Sequence, residues 1–197
     1  MLIATLFALL ALFVLGYYAA FEYSRYKTAG ILSKACGGRV VFKLGGSYMR
    51  RHRQGAEERA WVVPDDGMAW GSLLTLAVPA SAQLVMQRFS SPGFAFAVEL
   101  KTGVLFRSLA AGRLKTAAFE VPRLDATLNL RTDDTAKAGR HFADAARQEA
   151  LLQLFQAGFR QVRGNGTDIT AVLPGGSARE PDRLDPERHF AQLHLLA

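Results

Sequence analysis

The chain of 197 residues is half hydrophobic and carries 24 Lys and Arg against 17 Asp and Glu, a formal net charge of +7. Its single cysteine excludes an internal disulfide and any zinc site built on several thiolates. The basic surplus suggests nucleic acid, but a binder needs it on a folded face, and here residues 22–60 hold nine basic against three acidic residues while residues 131–197 hold nine of each.

Met1 to Phe21 accounts for that clustering. No side chain in the run is charged, and about twenty apolar residues are what a helix needs to cross a hydrocarbon core of about 30 Å. Tyr17, Tyr18, Phe21, Tyr23 and Tyr26 gather at its end, with Arg25 and Lys27 among them, as expected where a span meets the headgroups. A cleaved signal is disfavoured, because no basic residue precedes the run and Tyr18 stands where a small residue belongs. Residues 1–26 therefore read as an anchor with its interfacial segment, residues 27–37 as a juxtamembrane connector, and residues 38–197 as one soluble domain. The positive flank places the N-terminus outside and the domain in the cytoplasm. Gly16 and Ala20 form a small-xxx-small pair, so a homodimer through the helix is a further expectation.

Beyond the connector, Arg39 to Tyr48 has strand periodicity and residues 49–58 read as a polar, basic loop. From there to Arg131, apolar runs alternate with turn signals as in an antiparallel meander: strands at 60–63, 70–78, 84–89, 94–100, 104–107, 117–121 and 124–130. Gly67 to Gln87 also lacks charge, but Pro79 and the period-two alternation favour strands over a second span. Thr132, Asp133 and Asp134 then offer caps for one main helix over residues 134–157 that ends at Gly158. Asn165-Gly166 predicts a hairpin, and Asp185-Pro186 opens a C-terminal helix to about Leu196. The class is α+β: a single transmembrane helix, a mainly antiparallel β domain with one long helix packed on the sheet, and a short C-terminal helix.

No stretch has the residue types and spacing of a known chemistry. His189 and His194 are five apart, which does not put two ligands on one helical face, and all four histidines read as surface residues. The pairs Glu57-Glu58, Asp65-Asp66 and Asp133-Asp134 are neighbours pointing apart, not a convergent acid–base pair. Gly45-Gly46-Ser47 lacks the second glycine of a nucleophile elbow, no glycine pair continues as a phosphate loop, and Cys36 with His52 has no geometry behind it. No catalytic, cofactor or metal residue is assigned. The notable surface feature is Arg50, Arg51 and Arg53, expected on a loop near the bilayer that binds anionic lipid head groups or a protein partner. The function expected is a membrane-anchored, non-enzymatic binding domain with no nucleic-acid role. The alternatives are an enzyme or small-molecule-binding domain whose pocket converges from distant strands, and an outward-facing envelope assembly factor.

Overall fold

The structure is a computed structural model that describes residues 2–43, 46–64, 82–90, 92–101, 114–174 and 185–197. It is α+β, with a nine-stranded antiparallel sheet and several helices. The N-terminal helix α1 (Leu2–Cys36) is long and apolar enough to cross a membrane. Strands β1 (Arg39–Val41), β2 (Tyr48–Arg53), β3 (Ala56–Pro64) and β4 (Ala82–Arg88) follow, then β5 (Ala95–Leu100) and β6 (Lys115–Ala117). Helix α2 (Pro122–Thr127), strand β7 (Leu128–Thr132), helices α3 (Thr135–Phe142) and α4 (Ala145–Gln156), strands β8 (Gln161–Asn165) and β9 (Ile169–Leu173) and helix α5 (Pro186–Leu195) complete the order.

The sheet is a meander only from β1 to β4. Its order, β1-β2-β3-β4-β9-β8-β5-β7-β6, inserts the β8–β9 hairpin between β4 and β5. That hairpin turns as its sequence predicts: Gly166 takes φ +90, and the Asn165 side chain accepts hydrogen bonds from the backbone N–H of Thr167 and Asp168. Gly164 is a different kind of glycine, because a Cβ there would stand 2.5 Å from the fully buried Phe96 ring.

Three local expectations are corrected. Residues 49–58 are not a loop: β2 and β3 form a tight hairpin through Gln54 (φ 49) and Gly55 (φ 74), a left-handed pair that suits the twist of two strands. Gln is an unusual residue for that turn, so the signal was masked. Residues 122–127 are helix rather than strand, started by Pro122 at its first turn and held by the Asp125 carboxylate, which accepts from the N–H of Phe119 and Val121. The single helix over 134–157 is two helices, each with its own Asp cap: Asp134 accepts from Lys137 N–H, and Asp144 accepts from Ala146 N–H. The residues read as a connector remain helical to Cys36. The strands expected at 70–78 and 104–107, and residues 67–81 of the stretch weighed as a second span, lie outside the described residues. Its remainder, 82–87, is strand, paired with β3 throughout and with β9 from Leu84.

Phe96, Phe119, Phe142, Phe159 and Phe190 are the largest apolar side chains wholly buried in the core, with Phe142 edge-on to both Phe96 and Phe119. The second half of α1 closes this core against β1, β2, β3 and α5.

Candidate functional site

The site starts from the way α1 docks. Glu22, Arg25, Ala29, Leu32 and Cys36 are buried among its described side chains, and their spacing of three, four, three and four puts them on one stripe. Two of the five are charged, so the stripe does not look apolar in sequence. The structure compensates them at once: Arg25 Nη1 donates to Glu22 Oε1 at 2.9 Å, and Arg25 Nε donates to the Val62 carbonyl at 3.0 Å. One end of the docked stretch is thereby tied to β3.

The other end is tied more heavily. Gly37 takes φ +67, and Gly38 N–H reaches back to the Ser33 carbonyl at 3.0 Å, a Schellman stop. The freed Cys36 carbonyl accepts from Arg51 Nη1 at 2.7 Å, a cation placed at the negative end of the helix dipole.

Arg51 arrives there by strand alternation. Register aligns Met49 with Ala60 and Met86, and one step along each strand aligns Arg51 with Glu58 and Arg88. Side chains two apart share a face, so an apolar row is followed by a charged row on the same inner face. Arg51 Nε lies 2.5 Å from Glu58 Oε2, and Arg88 Nη1 donates to Glu58 Oε1. Glu58 and Arg88 are 1% exposed, which makes a buried Arg–Glu–Arg row. Taking such charges out of water costs several kcal/mol per ion and is recovered only by close pairing. Helix α5 supplies the rest: Glu187 pairs with both Arg51 and Arg53, and the Arg51 guanidinium lies 4.7 Å above the Phe190 ring.

On the opposite face of the hairpin, Arg50 and Arg59 share Glu57. Partial burial pushes the Glu57 carboxyl up, but hydrogen bonds from Arg59 and Arg50 outweigh it and hold its pKa below the ordinary range. Five arginines (Arg50, Arg51, Arg53, Arg59, Arg88) pair with Glu57, Glu58 and Glu187, and with Arg39 and Asp185 counted in, this end of the domain carries a surplus of two positive charges. Arg39 has no ion pair among the described residues. Between the end of α1 and β2 lies a hollow of about 460 Å³, lined by Cys36, Gly37, Gly38, Arg39, Arg50, Arg51, His52 and Arg53.

Of the arginines singled out in the sequence, Arg51 and Arg53 meet at Glu187 on one face of β2 and Arg50 lies on the other with Glu57; all three stand on a strand rather than a loop, and already paired. Missed were Glu58, Arg88 and Glu187, whose signal was the period-two register. Of the residues assigned to the membrane interface, Tyr18, Tyr23, Tyr26 and Lys27 are exposed, Tyr17 is half-buried, and Arg25 is buried; Tyr26 meets Phe42 edge-on at 6.3 Å. Phe21 lies within α1.

Two histidines are not the surface residues expected. His141 donates from Nε2 to the Leu196 carbonyl at 3.1 Å, and burial, with Arg147 nearby, lowers its pKa to about 4. His189 donates from Nδ1 to Gln192 Oε1 at 3.2 Å, and its pKa is likewise lowered by burial. Burial also raises the Cys36 thiol, against the pull of Arg51. Compared with known proteins, the chain matches no family model, no curated protein and no solved structure.

Proposed function

We propose that the chain is a membrane-anchored, non-enzymatic binding domain, with its N-terminus outside and its domain in the cytoplasm, whose arginine-rich end binds an acidic protein partner. The observation that supports it is the continuity of α1 from its exposed apolar half into the sheet. If the span ends near Phe21, Cys36 stands about 22 Å further along the helix. The headgroup layer takes up about 6 Å of that. The arginines held at Cys36 are then about 15 Å above the headgroups, about two Debye lengths at physiological salt.

That height decides between the two partners expected for them. A basic residue at the surface of an anionic membrane gains about 1 kcal/mol, and two Debye lengths reduce this to about a tenth. A helix tilted by about 40° still leaves roughly 10 Å. The lipid reading of Arg50, Arg51 and Arg53 is therefore the weaker one, and a partner approaching from water is favoured. The exposed Lys27 and Lys43 remain as the cations that favour the cytoplasmic side.

The full-length protein in bilayers of neutral lipid tests this reading. Polyglutamate is expected to bind it, with affinity falling as salt rises, and the double variant Arg39→Glu, Arg53→Glu is expected to lose that binding. A reporter fused after Ala197 should be active only in the cytoplasm. Binding of polyglutamate that ignores both salt and the double variant, or a reporter active only outside, would overturn the proposal.

A further inference from the structure

We infer that the hollow at the end of α1 is a gap in the edge of the sheet that takes an acidic, extended peptide segment as an added strand along β2. This rests on the acidic-partner reading above and gives the form in which that partner binds.

Four consecutive residues of β2, Arg50, Arg51, His52 and Arg53, line the hollow. Successive side chains of a strand point to opposite faces, so Arg50 and His52 belong to one face and Arg51 and Arg53 to the other. A hollow bounded by both faces lies along the edge of the strand. The edge toward β3 is paired from Met49 to Arg53, whereas β1 pairs only with Tyr48 to Arg50. The open edge is therefore the one toward β1, from Arg51 onward.

The hairpin sets the direction of the backbone groups. A two-residue turn closes on a hydrogen-bonded pair, here Arg53 with Ala56, and bonded pairs then alternate, so Arg51 bonds Glu58 while the backbone groups of His52 and Glu57 face away from each other. In agreement, Phe89 N–H donates to the Glu57 carbonyl at 2.9 Å, on the far side of β3. His52 N–H and C=O thus point toward the β1 side. The register of Arg39 with Arg50 would next set Gly37 against His52. Instead Gly37 takes φ +67, and Gly38 N–H bonds back to the Ser33 carbonyl as the chain joins α1. The pairing stops one rung early, and both residues of the missing rung line the hollow. An extended segment supplies that rung by accepting from His52 N–H and donating to its C=O.

Charge selects the segment. Four arginines and a histidine line the hollow, and no acid does. A residue set against His52 shares the face of Arg39 and Arg50, and its neighbours share the face of Arg51 and Arg53. Acidic side chains are matched on both faces, whereas a second copy of this edge would set arginine against arginine.

Titration of the full chain in neutral-lipid bilayers with hexaglutamate, and with hexaglutamate methylated at its backbone nitrogens, separates strand addition from charge alone. Methylation keeps the carboxylates and removes the donors. The unmodified peptide is expected to bind about tenfold more tightly. It should also slow amide hydrogen exchange at His52 and leave Arg51 and Arg53, already bonded to β3, unchanged. His52→Pro removes the outward N–H at an edge position where proline is tolerated, and should bind hexaglutamate about tenfold more weakly than His52→Ala does. Equal affinity for the two peptides, unchanged exchange at His52 in the bound state, or equal affinity in the two variants would overturn the inference. Any of these with salt-dependent binding of hexaglutamate intact removes strand addition alone, and absence of both hexaglutamate and polyglutamate binding removes the underlying reading as well.

Discussion

In residues 5–20 of α1 the large apolar side chains are exposed, Leu6 by 68% and Leu9 by 61%, whereas in residues 22–36 the apolar side chain Leu32 is wholly buried and the exposed positions are mainly polar. Among the described residues nothing covers that apolar surface. The second half buries its stripe against β1 to β3 and α5 and is pinned at both ends, by Arg25 on the Val62 carbonyl and by Arg51 on the Cys36 carbonyl. Because no break separates the halves, whatever holds the first half fixes the height and direction of the domain. The helix is a structural member over its second half and long and apolar enough to cross a membrane over its first, and the two halves answer to different measurements.

The sharpest way to break the docked half is to strip the charged row beneath it. Glu58→Gln leaves Arg88 and Arg51 buried without their shared carboxylate, and urea unfolding should show a loss of about 3 to 5 kcal/mol. Replacing the row together, Arg51→Met, Glu58→Leu and Arg88→Met, should recover most of that loss. A smaller effect separates the halves directly. Leu32→Ala should destabilise the domain by about 2 to 4 kcal/mol and leave membrane association unchanged. Leu9→Ala should leave domain stability within about 0.5 kcal/mol. If the two variants gave the same domain stability, the distinction between the halves would be lost.

Away from the helix, Gly164→Ala pushes a methyl into the Phe96 ring and should cost about 1 to 3 kcal/mol, which a thermal melt reads as a lower midpoint. A smaller loss is expected from pH. His141 has its pKa lowered to about 4 in the folded chain, against an ordinary 6.5. As pH falls from about 6.5 to 4, the unfolded chain takes up the proton first, so stability declines across that window. Its share should be about 1 kcal/mol by pH 5 after allowance for solvent screening, and His141→Gln should flatten the decline.

Sequence made legible what depends on a few adjacent residues. Asp185-Pro186 opens α5 and Asn165-Gly166 turns the β8–β9 hairpin, because the capping or turning group lies within three residues of the backbone it serves. It also revealed the apolar run of α1. What it concealed depends on partners far along the chain. The stripe from Glu22 to Cys36 reads as a broken pattern until Val62 is beside Arg25, and Arg51 reads as a surface cation until register brings Glu58 and Arg88 alongside. Asp144 hid a second cap within a helical pattern that looked continuous. For the site, residue type was readable and compensation was not: Arg50, Arg51 and Arg53 were visible as charge, and only the strand pairing shows which carboxylates already hold them.

The central claim is that a continuous α1 holds the arginine-rich end clear of the membrane. A spin label attached at Arg53→Cys, in a Cys36→Ala background, measures that height in the full chain reconstituted into bilayers, by paramagnetic relaxation from the lipid surface. The account predicts a label about 15 Å or more above the headgroups, at the same height in neutral and anionic bilayers. A label within the headgroup layer, or one drawn down when anionic lipid is added, would contradict it.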